Sequence, residues 1–439
     1  MYPHMKPPYS PTYVDLTTPP TPAILATRLH DQGWSVPPEV LTLAEDWPHL
    51  SSNAADPLTL AAHGWHALRW IGLGFRPTPL LRSTWLSALA GTDVYLKLES
   101  EQVTGAFKAR GAAHKVLSPQ AMGSVPRNRS VVTASTGNHA MAVLNAAACA
   151  RRWAPSSSSS PSPSPSSPAS IDPDQDPAPV VVFVPTTVSA AKANRLEALG
   201  AQLHRVGEQC IETEGAARAY AADHQLPFVS PYNDPFVAGG HGTLAVEVLA
   251  AIPKRNTAIP QPRATSSHAT TPPSPPPPLS VFIPVGGGGL VAGVASMLKT
   301  CAGMEVHVHG CEPSASDALQ RGIEAGRVLR QGEWPETPTL SDATAGGLEE
   351  GSITFTVARD LVDTWHSIPE PEIAAAVRGV LDHEGKCVEG AAAVAVASAL
   401  RVFATGRYRD TNATVVIVCC GGNTSSKHLQ TVLDLTAGA

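Results

Sequence analysis

Charge is scarce in this chain. Of its 439 residues only 15% are Asp, Glu, Lys or Arg, and the balance is a net charge of -6 at pH 7. No basic run interrupts that balance, which argues against nucleic acid as a partner, because binding to a phosphate backbone rests on clustered Lys and Arg. A small-molecule enzyme fits better. The seven cysteines (149, 210, 301, 311, 387, 419 and 420) contain no C-x-x-C pair and no regular spacing. Neither a zinc site nor a disulfide framework is indicated, and buried thiols are expected. The chain also lacks an apolar run of membrane-spanning length, and Met-Tyr-Pro-His-Met-Lys-Pro-Pro at its start has neither the hydrophobic stretch of a secretory leader nor the arginines of a transit peptide. The expectation is a soluble, cytoplasmic protein in a reducing compartment, with no membrane partner.

Proline is abundant, at 42 residues, and it is concentrated. Residues 1–22 read as a disordered arm, and Ser/Pro-rich tracts at 154–179 and 254–278 read as disordered insertions, since such segments bury too little apolar surface to offset the entropy of ordering. Between them the pattern is short apolar strands alternating with helices: Val180 to Val184, Ala190 to Leu199, Gln202 to Val206, Cys210 to His224. That alternation indicates parallel sheets in an α/β protein. The 43% apolar content is enough for a sizeable core, and the length suggests two to three domain-sized units. Further helices are expected at Pro38 to Ala44, Leu58 to Ile71, Ser316 to Ala325, Thr354 to Thr364, Glu370 to His383 and Gly390 to Ala404. Strands are expected at Val306 to Gly310 and Val415 to Val418.

Four stretches carry chemistry. The first, Thr104-Gly105-Ala106-Phe107-Lys108-Ala109-Arg110-Gly111, follows the strand Val94 to Leu98 and places Lys108 near a helix start among apolar neighbours. There desolvation lowers an amine's pKa and makes it a nucleophile. The others are Ser135-Thr136-Gly137-Asn138-His139 after the strand 130–134, Pro284 to Leu290 with its four consecutive glycines, and Cys419-Cys420-Gly421-Gly422-Asn423. A polar turn between a strand and a helix N-terminus suits a carboxylate. A glycine run between an apolar strand and a helix suits a phosphate, because the main chain can approach closely and reach positive φ.

In that order and at those separations, the four stretches resemble the pyridoxal-phosphate enzymes of the tryptophan synthase β-like fold (fold type II), and within them the serine/threonine dehydratase and serine racemase group. Arg76-Pro77-Thr78-Pro79-Leu80-Leu81 resembles the group's entry motif, so the resemblance runs from about Thr78 to the C-terminus. It implies two α/β/α domains with parallel or mixed sheets: a large cofactor-binding domain from 23–129 and 208–439, and a small one at 130–207. It implies pyridoxal 5'-phosphate as cofactor, an amino-acid substrate and a homodimer. Lys108 matches the lysine that bonds to the cofactor, and Phe107 the residue packed against its ring. Gly286, Gly287, Gly288, Gly289 and Leu290 match the phosphate loop, and Asn138 the asparagine on the ring hydroxyl. Ser135, Thr136, Gly137 and His139 match the loop that holds the substrate carboxylate. Cys420 takes the position facing the pyridine nitrogen, where animal-type serine dehydratases also have cysteine.

The activity implied is β-elimination of water from L-serine and/or L-threonine, giving a 2-oxo acid and ammonia. Racemisation is a rival, although Thr136 stands where racemases use a serine as second base. A lyase for 3-hydroxyaspartate or phenylserine is another, since Asp342 to Ser352 departs from the common dehydratase pattern and Glu349 or Glu350 could set the side-chain preference. A catalytically silent homologue that recruits partners through Pro273 to Pro278 is the alternative outside enzymology. Glu312 matches the first acid of the group's divalent-cation site, but Ala318 stands where another is required, so no metal is expected. The group's amino-acid-sensing C-terminal domain is not expected either.

Overall fold

The structure is a computed structural model and describes residues 36–45, 55–122, 130–152, 179–252, 279–302, 305–409 and 411–437. The expected N-terminal arm, and residues 154–178 and 254–278 of the two expected insertions, lie outside the described residues.

Two sheets organise the chain. The larger has six strands: β1 (Leu80–Arg82), β2 (Asp93–Leu98), β6 (Leu279–Pro284), β7 (Val306–Pro313), β8 (Thr364–Ile368) and β9 (Thr414–Cys419), in the order β1-β2-β9-β6-β7-β8. All its neighbours run parallel except β1, which pairs antiparallel with β2. The smaller sheet is parallel and has β3 (Val131–Ala134), β4 (Val180–Val184) and β5 (Ala201–Arg205) in that order.

The central strands are buried along their length, as β6 and β9 show at all six positions. Helices on both faces demand that, and it is why these strands are written as unbroken apolar runs rather than as alternations. Helices Gly289–Cys301 and Gly390–Ala404 are correspondingly apolar almost all round. On the small sheet, helix Cys210–Asp223 packs against β3 and β4. Among the described residues no helix is long and apolar enough to cross a membrane.

Two elements differ from expectation. The helix expected at Thr354 to Thr364 ends at Leu361, and Thr364–Ile368 is instead the edge strand β8. Its Thr-Trp-His-Ser sequence is only half buried, so it has no apolar run to announce it. β1, which overlaps the end of the entry motif Arg76 to Leu81 and was not expected as a strand, is the antiparallel edge beside β2.

A buried ionic cluster ties the large sheet to the helix that carries Lys108. Arg110 is fully buried; its Nε donates to Glu99 Oε2 at 2.7 Å and its Nη1 to Glu247 Oε1 at 2.5 Å. Lys97 Nζ, on β2, donates to Glu247 Oε2 at 2.5 Å. Two cations and two carboxylates thus cancel in the interior, as buried charges must. Burial tends to neutralise Glu247, but the cations Arg110 and Lys97 outweigh it and keep the carboxyl below its ordinary pKa.

Candidate active site

The carboxyl ends of β2, β3, β6 and β9 open towards one region, where open α/β sheets bind their ligands. Two of the motifs are zipped together by main chain: the Phe107 N–H donates to the Cys420 carbonyl at 2.9 Å, and the Gly422 N–H to the Gly105 carbonyl at 2.9 Å. Lys108 is therefore held beside Cys420 despite more than 300 intervening residues. Lys108 opens helix Lys108–Leu117, and its Nζ donates to the Pro231 carbonyl at 2.6 Å. Burial pulls the amine's pKa down to about 8, against the opposing pull of Glu214, Cys420 and Glu389. Phe107 presents its ring edge-on to His241 at 4.7 Å, with Lys108 Nζ 5.0 Å from the ring centre.

Asn138 opens helix Asn138–Arg152. Its Nδ2 donates to Glu389 at 2.9 and 3.1 Å, and its Oδ1 accepts from Asn423 Nδ2 at 2.8 Å. Glu389 was not among the residues expected in the site. It is buried, lies 4.0 Å from Cys420 Sγ, and is pushed up to about 7 by its burial. The one sequence signal was a carboxylate directly before the apolar run Gly390 to Leu400, where a buried charge needs a reason. Burial, reinforced by Glu389, raises the Cys420 thiol well above its ordinary value, so it stays neutral.

The glycine run turns from β6 into helix Gly289–Cys301. A Cβ on Gly286 would lie 2.9 Å from Thr344, and one on Gly287 would meet the Tyr232 ring at 2.4 Å. Gly288 has a φ of +79°, a conformation that glycine adopts without strain. Among the described residues the N–H groups of Gly286, Gly287 and Gly288 have no protein acceptor. They stand at the positive end of a helix dipole, which is the donor set an anionic phosphate takes. Leu290, in the first helical turn, is buried in the core.

Ser135, Thr136 and Gly137 form the half-buried turn between β3 and helix Asn138–Arg152. The Gly137 N–H donates to Ser135 Oγ at 3.2 Å, and a Cβ on Gly137 would meet nothing within 4 Å. His139 turns inward, with its Nε2 3.1 Å from the Val229 carbonyl and its Nδ1 unpartnered. Burial and the nearby Lys108 hold its pKa at about 3, so it is a neutral imidazole.

Across the cleft, Glu349 faces inward and Glu350 is exposed. Glu349 Oε1 accepts from Arg218 Nη2 at 2.5 Å and from Asn233 Nδ2 at 2.8 Å, while its N–H donates to Tyr232 Oη at 2.9 Å. Lys192 Nζ reaches Asp342 at 3.0 Å, and Arg195 Nη2 reaches Asn423 Oδ1 at 3.4 Å. The Arg218, Lys192 and Arg195 contacts join helices of the small sheet to loops of the large one. Glu312 serves the fold instead: its carboxylate accepts from the Leu319 and Gln320 N–H groups at 3.2 and 2.8 Å, at the start of helix Ala318–Ala325.

A buried amine of lowered pKa, free N–H donors at a glycine-lined helix start, an aromatic ring beside the amine and a neutral thiol are what a phosphorylated aldehyde cofactor asks of a protein. The sequence profile described as "Pyridoxal-phosphate dependent enzyme" matches residues 71–152 and 178–421. The chain belongs to that family, has its two-sheet fold, and takes pyridoxal 5'-phosphate as its cofactor. It is similar to the L-threonine ammonia-lyase of Geobacter sulfurreducens, with 30% identity over 366 residues, 82% of this chain and 74% of that one. Among solved structures, a threonine deaminase from T.th. shares 28% identity at a TM-score of 0.62, covering 83% of this chain and 98% of that one. The serine racemase of Dictyostelium discoideum, at 21% identity and a TM-score of 0.61 over 83% and 98% of the two chains, shares the fold.

Proposed function

We propose that the protein is an ammonia-lyase that eliminates water from a small β-hydroxy amino acid, L-serine and/or L-threonine, releasing a 2-oxo acid and ammonia. The cofactor, when bound, supplies an electron sink for the α-carbon. Gly286 to Gly289 hold its phosphate, Phe107 flanks its ring, and Asn138, tied to Glu389 and Asn423, borders it. Ser135 to Gly137, at a helix N-terminus, orient the substrate carboxylate. Lys108, whose burial lowers its pKa to about 8, is basic enough to take the α-proton and gives up its own proton far more readily than an exposed lysine.

The observation that carries the reading is the neutral Cys420 thiol, buried beside Glu389. A thiol cannot protonate a ring nitrogen as a carboxylic acid would, so negative charge at the α-carbon is poorly stored and expulsion of the β-substituent is favoured over slower fates. The similarity to an L-threonine ammonia-lyase supports the same reading.

The test is to incubate the holoenzyme with L- and D-serine, L- and D-threonine, 3-hydroxyaspartate and phenylserine, assaying both 2-oxo acid and inverted amino acid. Oxo acid from L-serine or L-threonine is expected. Inversion without oxo acid would make the protein a racemase. Turnover of only a larger substrate would move the assignment to that substrate, and no turnover of any would leave a silent binder.

A further inference from the structure

The geometry points to Asn423 as a positioning residue that decides which end of the Asn138 amide meets the cofactor ring, a role that rests on the placement of Asn138 beside that ring proposed above. A side-chain amide has a donor end and an acceptor end of nearly equal size, so only its partners can hold it one way round. The partners of Asn423 allow a single choice. Its Nδ2 lies 2.8 Å from the Thr104 carbonyl, which can only accept, and its Oδ1 lies 3.4 Å from Arg195 Nη2, which can only donate.

That choice passes to Asn138. The second hydrogen on Asn423 Nδ2 goes to Asn138 Oδ1 at 2.8 Å, between residues 285 positions apart. With its oxygen so engaged, Asn138 turns its Nδ2 the other way, to 2.9 and 3.1 Å from the two oxygens of Glu389. The Lys108 stretch is shaped to seat the Asn423 amide. Gly105 has a φ of +74°, and a Cβ there would lie 2.7 Å from Asn423 Oδ1 and 2.9 Å from its Nδ2.

Asn138 therefore presents an N–H, and not a carbonyl, on the side away from Asn423. The cofactor ring has two polar groups of its own, a nitrogen and a hydroxyl. With Cys420 at the nitrogen, Asn138 is left the hydroxyl. An N–H donor favours that oxygen in its ionised form, whereas a carbonyl would favour the form that keeps its proton.

The test reads the bound cofactor itself. Asn423→Ala removes the donor without adding charge, and in the holoenzyme it should raise the cofactor dissociation constant, measured by equilibrium dialysis, about tenfold, the scale of a lost hydrogen bond to a charged group. The cofactor absorbance should move towards the shorter-wavelength form in which the ring hydroxyl keeps its proton, and the pH midpoint of that change should rise. Asn423→Asp keeps the shape and the Arg195 contact but can only accept, so the Asn138 amide turns over to donate to the new carboxylate, and the same midpoint should rise further. In an Asn138→Ala background, Asn423→Ala should change affinity and midpoint by less than about twofold, because it acts through Asn138. Equal effects of Asn423→Ala with and without Asn138, or no spectral shift in either Asn423 variant, overturn the role of Asn423 and leave the placement of Asn138 standing. An Asn138→Ala enzyme with wild-type affinity and spectrum overturns both.

Discussion

Replacing Arg110 by Met tests whether the charge cluster under the active site is a balanced set. Arg110 makes short contacts with both acids: Glu99 at 2.7 Å through Nε and Nη2, and Glu247 at 2.5 and 3.0 Å through Nη1 and Nη2. Nη1 also donates to Thr243 Oγ1 at 3.0 Å. Met fills similar volume but removes one of two cations, leaving two buried carboxylates to share Lys97, which is 4.0 Å from Glu99. Breaking a buried pair by removing one partner costs about 3–5 kcal/mol, because a desolvated charge is left uncompensated. The neutral pair Arg110→Met with Glu99→Gln restores the balance and should recover at least about 1.5 kcal/mol of that loss. Urea unfolding of the holoenzyme and both variants, followed by circular dichroism at fixed cofactor concentration, measures it. An Arg110→Met protein within about 1 kcal/mol of wild type, or a double variant less stable than the single one, would show that water reaches these charges and that the buried-charge argument is wrong.

Two further outcomes concern the site and its surroundings. Cys420→Ser should keep elimination within about tenfold, roughly 1.4 kcal/mol in the barrier, as steady-state oxo-acid release would show. Cys420→Asp should fall much further, because its carboxylate would face Glu389 across about the 4.0 Å now spanned by the thiol; unchanged turnover in the Asp variant would mean that residue 420 does not touch the cofactor. Acid should unfold the protein early through its buried imidazoles. Burial holds His114 at about 4 and His139 at about 3, whereas both take up a proton near 6.5 when unfolded. Their neutral burial is therefore harmless above about pH 6.5, and stability is lost as pH falls from there towards 4, by about 2 kcal/mol per imidazole at pH 5. A urea midpoint that stays flat between pH 7.5 and 5 would sink this.

Much of the fold was legible because parallel strands covered by helices must be apolar throughout, as Val415 to Val418 and Val281 to Ile283 are. The positions of Lys108, the glycine run and Asn138 were legible for a local reason: each lies where the chain passes from a strand to the start of a helix. β8 was not, since a half-buried edge strand lacks the apolar run. Glu389 was missed for a different cause. It is an ordinary carboxylate just before a helix in sequence, and it acquires meaning only from a partner far along the chain, Asn138 at 251 positions.

The polar contacts that cross the cleft differ in kind from the charges beneath it. Lys192 and Asp342 are 50% and 45% exposed, whereas the side chains of Arg110 and Glu99 are wholly enclosed. Exposed pairs contribute at most about 1 kcal/mol each, and ions at physiological strength screen them over about 8 Å. Salt therefore acts on the two parts unequally: it weakens the exposed Lys192–Asp342 tie between the helices of the small sheet and the loops of the large one, and leaves untouched the enclosed charges on the helix that carries Lys108.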